Sequence, residues 1–248
     1  MERQPDSQSF QIAGLPVETA RPVQSHRGYW LLLLFFMTLW PWFWVSLGLF
    51  TLKDYRATMG LYELVCCGLP LLLLRSPKVA LWPLSVQKRY IAIAILASNI
   101  MFLGLFKQTG GVLLDWSVFG SHTHAIGLGL GPEFWLYGAY LVFLNPLFEE
   151  SFWRGTVYRE WRTRIGPWPA NLLSSFFFGA WHWIILQYYC DPFWALYATG
   201  TVMIGGVIFA YCYEKTGSLG ASVILHGLGA DLPLVFIAHT ALLQHTGG

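Results

Sequence analysis

The feature that most constrains this chain is a series of long stretches without charged residues. From Gly28 to Leu52 there is no Asp, Glu, Lys or Arg, and about 20 apolar residues in a helix suffice to cross a bilayer. Of the 248 residues, 55% are hydrophobic and only 11% are charged, whereas roughly 25% are charged in soluble domains. Because so few charges could not cover the surface of a soluble fold, the sequence predicts an all-α, polytopic membrane helix bundle.

The apolar stretches predict about seven transmembrane helices, with six or eight as alternatives. They cover residues 28–52, 61–74, 90–106, 132–158, 167–189, 193–213 and 219–243. Residues 1–27 are polar and mixed in charge, and we expect them to form a disordered cytoplasmic tail. Residues 28–248 are expected to form a single membrane domain, in which residues 107–131 are the longest loop.

The distribution of basic residues predicts the orientation, because cytoplasmic loops carry an excess of Lys and Arg. With the N-terminus in the cytoplasm, the cytoplasmic segments hold most of the cations near the spans: Arg21, Arg27, Arg75, Lys78, Lys88, Arg89, Arg159, Arg162, Arg164 and Lys215. The opposite side holds only Lys53, Arg56 and Lys107. The small net charge of +2 does not suggest a nucleic-acid partner.

Several ionisable residues lie inside the predicted spans, where each costs roughly 2.5–3.5 kcal/mol on insertion scales. Glu150 and Arg154 are four residues apart, so they share a helix face and can pair. Glu149 is turned about 100° away from Glu150 and has no such partner on its own helix. Asn145 precedes Glu149 by one turn on the same face, and Pro146 can open the backbone there.

Two histidines occupy other spans. His182 lies in the fifth span, one turn after Phe178, and His226 lies in the seventh, shortly before Asp231. Counted along the helix rise, Glu149 and the two histidines lie at comparable depths, roughly 12–20 Å from the ends of their spans. Such convergence is typical of a catalytic site. Glu63, near the end of a short span, is expected to snorkel or to form a structural pair.

These residues resemble the signature of the CAAX protease and bacteriocin-processing family of intramembrane peptidases. The family pattern is EExxxR, then FxxxH, then His followed four residues later by Asn or Asp. Here the first motif is Glu149, Glu150 and Arg154, with Gly155 after it, and the resemblance covers about residues 132–243. The second motif is Phe178 and His182, and the third begins at His226.

The third motif departs from the family pattern, because Ala230 occupies the position four residues after His226. Asp231 follows one residue later, about 140° from the His226 face of an α-helix. A helix distortion at Gly227 or Gly229 would bring Asp231 round. Otherwise a second oxyanion donor is missing, or Asn145 replaces it.

The resemblance implies an intramembrane endopeptidase of the glutamate type. Glu149, helped by His182, would deprotonate water, and His226 would stabilise the oxyanion. Glu150 and Arg154 would hold the fourth helix in register. No cofactor is expected, although Glu149, His182 and His226 are an acceptable ligand set for zinc.

The implied partner is the lipid bilayer together with a membrane-associated protein or peptide, cleaved at a CAAX-like tail, a leader or a C-terminal sorting signal. A bacterial inner membrane is the expected location. Two rival functions remain open. A catalytically inactive relative would act as a membrane scaffold or regulator, and a small transporter would also use intramembrane Glu and His.

Overall fold

The computed structural model describes residues 27–73, 88–113, 116–125 and 127–246, and within these ranges the chain forms helices and short connections without strands. The first half contains α1 (Arg27–Met37), α2 (Leu39–Ser46), α3 (Tyr55–Gly60), α4 (Leu69–Leu73), α5 (Lys88–Leu113) and α6 (Trp116–Ala125). The second half contains α7 (Pro132–Phe143), α8 (Asn145–Phe152), α9 (Arg159–Ile165), α10 (Pro167–Tyr189), α11 (Pro192–Thr216), α12 (Leu219–His226) and α13 (Leu232–Thr246).

Four π-helical segments extend α-helices into longer rods, and three of them join two consecutive α-helices. They are Leu47–Leu52 after α2, Leu61–Gly68 between α3 and α4, Trp153–Tyr158 between α8 and α9, and Gly227–Asp231 between α12 and α13. Hydrogen bonds in a π-helix join residues five apart, so each segment shifts the side chains that follow it around the rod.

Four of the described rods are long and apolar enough to cross a bilayer: Gly28–Leu52, Tyr55–Leu73, Pro192–Thr216 and Leu219–Gln244. The predicted all-α membrane fold is therefore confirmed. The count of seven spans and the cytoplasmic N-terminus stay predictions. The predicted tail before Arg27, and the cations Arg75 and Lys78, lie outside the described residues.

The predicted loop over residues 107–131 is wrong for most of its length. Helix α5 continues to Leu113, and α6 occupies Trp116–Ala125. Helix α6 packs against α13 and α10, and these tertiary contacts stabilise a helix where a loop was predicted. Within α6, the His122 ring stacks on Tyr188 with centroids 4.4 Å apart.

The chain reversal between α11 and α12 sets the depth of His226. Gly217 ends α11 with a φ of 64°, a left-handed conformation that favours glycine. The Ser218 side chain then caps α12 by accepting a hydrogen bond from the Gly220 N–H. Because the cap fixes the start of α12, His226, which is the last residue of this helix, lies two turns further into the bundle.

The largest buried cluster brings aromatic side chains from four rods together. It includes Met37, Tyr62, Trp153, Phe178 and Trp181, each at most 3% exposed. Helices α10 and α11 pack closely within it, because Gly179 leaves room for Met203. This packing surrounds the polar residues of α8 and α12.

Candidate active site

The α8 helix begins at a break in the fourth rod. Leu144 separates α7 from α8, and Pro146, in the first turn of α8, cannot donate a backbone hydrogen bond to the preceding turn. The break presents Asn145 to the interior, where it is 6% exposed. The amide nitrogen of Asn145 lies 3.4 Å from Glu149 Oε2 and 3.5 Å from Asp231 Oδ2.

Glu150 and Arg154 form the ion pair that their spacing predicts. Arg154 Nη1 donates to Glu150 Oε1 at 2.9 Å, and both side chains are at most 1% exposed. The second guanidinium nitrogen donates to the Gly206 carbonyl at 3.0 Å, and the group lies 4.3 Å from the Phe178 ring centroid. Arg154 is thereby fixed between α8 and α11 and its contacts do not include Glu149.

His226 bridges the two glutamates. Its Nδ1 atom lies 2.9 Å from Glu150 Oε1, and its Nε2 atom lies 3.4 Å from Glu149 Oε2. Because the ion-paired carboxylate of Glu150 accepts hydrogen bonds, the Nδ1–H of His226 is the donor. The ring is held by Phe209, which stacks on it with centroids 4.7 Å apart, and by the ring of Phe178 at 5.9 Å.

A π-helical turn brings Asp231 to His226. In the segment Gly227–Asp231, residues five apart take the places that residues four apart take in an α-helix. Asp231 Oδ1 therefore lies 3.6 Å from His226 Nε2 despite the additional residue between them. The distortion that the sequence left open as one alternative is present, and Asp231 lies beside both His226 and Asn145.

The π turn is held from outside by α5. Ser98 donates its hydroxyl to the Gly229 carbonyl at 2.5 Å, and the Asn99 amide donates to the Leu228 carbonyl at 2.7 Å. A π turn disturbs the regular backbone ladder, and polar side chains of neighbouring helices can satisfy the freed groups. These two contacts therefore stabilise the turn that places Asp231.

Sequence reasoning missed Tyr62, which contacts Glu149 from another rod. Tyr62 is 1% exposed, its hydroxyl lies beside the Glu149 carboxylate, and it accepts a hydrogen bond from Trp153 Nε1 at 3.3 Å. No local motif marks Tyr62, because its contact with Glu149 depends on how two rods pack. Glu149 is therefore not the lone carboxylate that its own helix suggested.

His182 lies on the other side of Phe178. Its Nδ1 atom is 2.7 Å from the Phe178 carbonyl oxygen, so the Nδ1–H donates and Nε2 is left as an acceptor. Its ring packs on Trp181, with centroids 3.9 Å apart, and on Phe178 at 5.0 Å. The polar contact described for His182 is thus with its own helix, and Glu149 is not its hydrogen-bond partner.

The geometry also bears on the predicted zinc set. In the part of the chain that the structure describes, no three His, Cys, Asp or Glu side chains are grouped as ligands for one metal ion. His226 already uses Nδ1 for Glu150, and His182 uses Nδ1 for Phe178. The Nε2 atoms of the two rings are the nitrogens that remain for other contacts.

The site combines a 1%-exposed carboxylate, Glu149, with polar groups from its own helix and from two other elements. His226, Asn145 and Tyr62 surround the carboxylate, while the nearby guanidinium is committed to Glu150. Buried carboxylates beside imidazoles are suited to proton transfer. The arrangement is thus able to accept a proton at Glu149 and to donate hydrogen bonds to a developing negative charge beside it.

Residues 131–229 match the family model described as type II CAAX prenyl endopeptidase Rce1-like. The match confirms the resemblance stated from the three motifs, and it includes all of the Glu149–Arg154, Phe178–His182 and His226 positions. The apolar rods indicate an integral membrane protein, and residues 131–229 of it are similar to the CAAX prenyl endopeptidases. No curated protein and no solved structure matches the chain.

Proposed function

From the family match of residues 131–229, we propose that the chain is an intramembrane endopeptidase with Glu149 as its general base. The observation that carries the proposal is the position of Glu149, buried between His226, Asn145 and the Tyr62 hydroxyl. Glu150 neutralises Arg154, so no guanidinium pairs with Glu149. Its substrate is a membrane-associated protein or peptide, cleaved at a C-terminal tail, a leader or a sorting signal.

The first proposed step is attack by water on the peptide carbonyl. Glu149 takes one proton from the water, and the oxygen bonds to the carbonyl carbon. His182 assists by accepting a hydrogen bond from the water at Nε2, which its contact with the Phe178 carbonyl leaves available. The developing oxyanion accepts hydrogen bonds from the Asn145 amide and from Nε2–H of His226 in its doubly protonated form, whose Nδ1–H stays on Glu150.

The second proposed step is the breakage of the carbon–nitrogen bond. The leaving amine takes the proton held by Glu149, so the carboxylate is regenerated and the product acid and amine separate. Glu150 is a positioning residue, because it holds His226 at Nδ1 while Nε2 points to the reacting groups. Asp231 supports the same orientation from the π turn.

The decisive experiment compares wild type with Glu149→Gln in native membranes. C-terminal peptides are quantified by mass spectrometry, with Glu160→Gln as the matched control on α9. We expect at least one full-length substrate to accumulate in Glu149→Gln and not in Glu160→Gln, while both variants insert normally. Identical peptide profiles would overturn the peptidase proposal and favour a scaffold.

We propose that the protein lies in a bacterial inner membrane with its N-terminus in the cytoplasm.

We also propose that the reaction is metal-free. In the described part of the chain no three His, Cys, Asp or Glu side chains form a group of metal ligands, which supports the metal-free part of the proposal. The expected result is that activity survives dialysis against a strong chelator and that metal analysis of the active protein finds less than one zinc per ten chains. If dialysis abolished the activity and added Zn²⁺ restored it, the metal-free proposal would be overturned.

A further inference from the structure

A cavity of about 510 Å³ lies beside the site, between the rod of α3 and helix α7. Its size falls within the range of about 300–1,000 Å³ that is typical of pockets for small ligands. Arg56 and Glu133, from the first turns of α3 and α7, line one end. The walls include Tyr55, Gly60, Glu63, Tyr137, Tyr140 and Phe148.

Glu63 is the unexplained group of this cavity. Its side chain is 2% exposed, and neither carboxylate oxygen has a hydrogen-bond partner among the described residues. The Tyr140 hydroxyl lies next to the carboxylate and is the side chain that a ligand would displace. The alternative that Glu63 snorkels is therefore wrong, the alternative of a structural pair stays a prediction, and the proposed reaction does not use Glu63.

The charge around Glu63 favours a cation. Glu63 interacts electrostatically with Glu149 and Asp231, and Glu150 lies beside them. Against these four carboxylates, the described cations of the site are Arg154, which is already paired, and His226 when protonated. Arg56, at the end of the cavity, interacts with a further carboxylate, Glu133. A carboxylate removed from water is unfavourable unless it is paired, so an incoming positive charge would stabilise this arrangement.

We propose that the cavity is a substrate subsite that binds an ammonium group of the peptide, with Glu63 as its charge partner. The tyrosine rings of the wall add cation–π attraction, which is strongest when the cation is desolvated. Phe148 of the wall directly precedes Glu149, so an ammonium bound there belongs to a residue close to the scissile bond. The role of this cavity as a substrate subsite rests on the proposed peptidase function, whereas the binding of an ammonium group does not depend on it.

The ammonium group has two possible sources, a lysine side chain and a free α-amine. Binding is measured on the purified full chain in lipid nanodiscs with three probes: N-acetyl-lysine amide, leucine amide and the neutral N-acetyl-leucine amide. We expect one or both cationic probes to bind at least tenfold more tightly than the neutral probe. Selective binding of N-acetyl-lysine amide assigns the side chain, and selective binding of leucine amide assigns the α-amine.

Variants test the role of Glu63. Glu63→Gln keeps the shape and removes the charge, and it should weaken binding of the cationic probe at least tenfold. His182→Gln leaves the four carboxylates intact and lies outside the cavity, so it should bind the probe within threefold of wild type while losing cleavage; a failure of the proposed catalytic mechanism is thus distinguishable from a failure of this subsite. Equal binding of neutral and cationic probes, or unchanged binding in Glu63→Gln, would overturn the proposal.

A second variant tests the cavity without altering Glu63. A Cβ at Gly60 would meet no atom within 4 Å, so Gly60→Leu can be accommodated and would fill the cavity. Gly200→Leu is the matched control, because Gly200 also faces open space but does not line the cavity. We expect Gly60→Leu to weaken probe binding at least tenfold and Gly200→Leu to leave it unchanged. Equal binding by all three proteins would contradict the assigned cavity.

Discussion

The Nδ1 atom of His226 is hydrogen-bonded to Glu150 at 2.9 Å. The same carboxylate oxygen accepts the hydrogen bond from Arg154, so one oxygen joins a structural ion pair to the imidazole beside Glu149. Glu150 therefore affects both the stability of the fold and the orientation of the His226 ring, and suitable variants can separate the two effects.

Replacing Glu150 by Gln should destabilise the fold by roughly 3–5 kcal/mol, because it leaves the buried guanidinium of Arg154 without a counter-charge. The double variant Glu150→Gln/Arg154→Met removes both charges and should recover much of this loss. Cleavage should be impaired in both variants, because His226 lacks its charged partner Glu150 in each. Thermal unfolding in detergent and a cleavage assay measure the two effects. Full activity in the double variant would show that Glu150 is only structural.

Because the π turn accommodates one additional residue, we predict that the protein tolerates the deletion of one residue there. Removing Ala230 gives the four-residue spacing of the family pattern, and an α-helical turn would then place the aspartate near His226. We expect this deletion to keep at least one-tenth of the cleavage rate, whereas Asp231→Ala loses about 100-fold. Rates are compared at equal amounts of folded protein. An inactive deletion alongside an active Asp231→Ala would contradict the role given to Asp231.

Tyr62→Phe removes the hydroxyl that contacts Glu149 while keeping the ring that packs against Trp181 at 4.1 Å. Because the hydroxyl acts on the general base, we expect kcat to fall about tenfold with little change in KM. Tyr158→Phe is the matched control, since its hydroxyl donates to Glu214 away from Glu149. A fall in stability without a change in kcat would give Tyr62 a purely structural role.

Gly227→Ala tests the close approach of α12 to α7. An added Cβ would overlap the Val142 carbonyl oxygen, a backbone atom that cannot rotate away. We expect a loss of about 1–3 kcal/mol, as for other overpacked sites, and a lower cleavage rate because His226 is the adjacent residue. Gly200→Ala meets no atom and should be neutral or slightly stabilising. Equal melting temperatures for both variants would contradict this packing.

Cys190, between α10 and α11, reports both orientation and burial. Burial, together with the nearby Asp191 charge, raises the pKa of the Cys190 thiol to about 11. Since the thiolate is the reactive form, maleimide labelling of the purified protein should rise about tenfold per pH unit from pH 7 to 10. An introduced Thr163→Cys on exposed α9 should level off above about pH 8.5.

The same two thiols test the orientation. With the N-terminus in the cytoplasm, Cys190 faces the non-cytoplasmic side and position 163 faces the cytoplasm. A membrane-impermeant maleimide applied to spheroplasts should label Cys190 slowly and leave Thr163→Cys unlabelled until the membrane is opened. The reverse pattern would invert the predicted topology.

Local spacing was sufficient to predict those site contacts that lie within one helix. Glu150 and Arg154 are one turn apart, as are Asn145 and Glu149, and both pairs are in contact. The meeting of His226 with the α8 glutamates was expected from comparable depth and is present. These predictions succeeded because helix geometry fixes them before tertiary packing does.

The contacts that the sequence did not reveal depend on packing between rods. Tyr62, Phe209 and the Gly206 carbonyl reach the site from elements with no local sign of that role. The position of His182 was also incompletely predicted, because the hydrogen bond to Phe178 fixes its ring in a way that residue spacing cannot specify.

The two hydrogen bonds from Ser98 and Asn99 to the π turn have a consequence for how the chain can be divided. Both donors lie before residue 131, where the family match begins. The segment that carries the three motifs therefore receives two hydrogen bonds from α5, a helix without a recognisable motif. A fragment beginning at residue 131 would expose two backbone carbonyls to hydrocarbon and lose the support of its aspartate. We therefore expect activity to require both halves in one membrane, even when they are expressed as separate polypeptides.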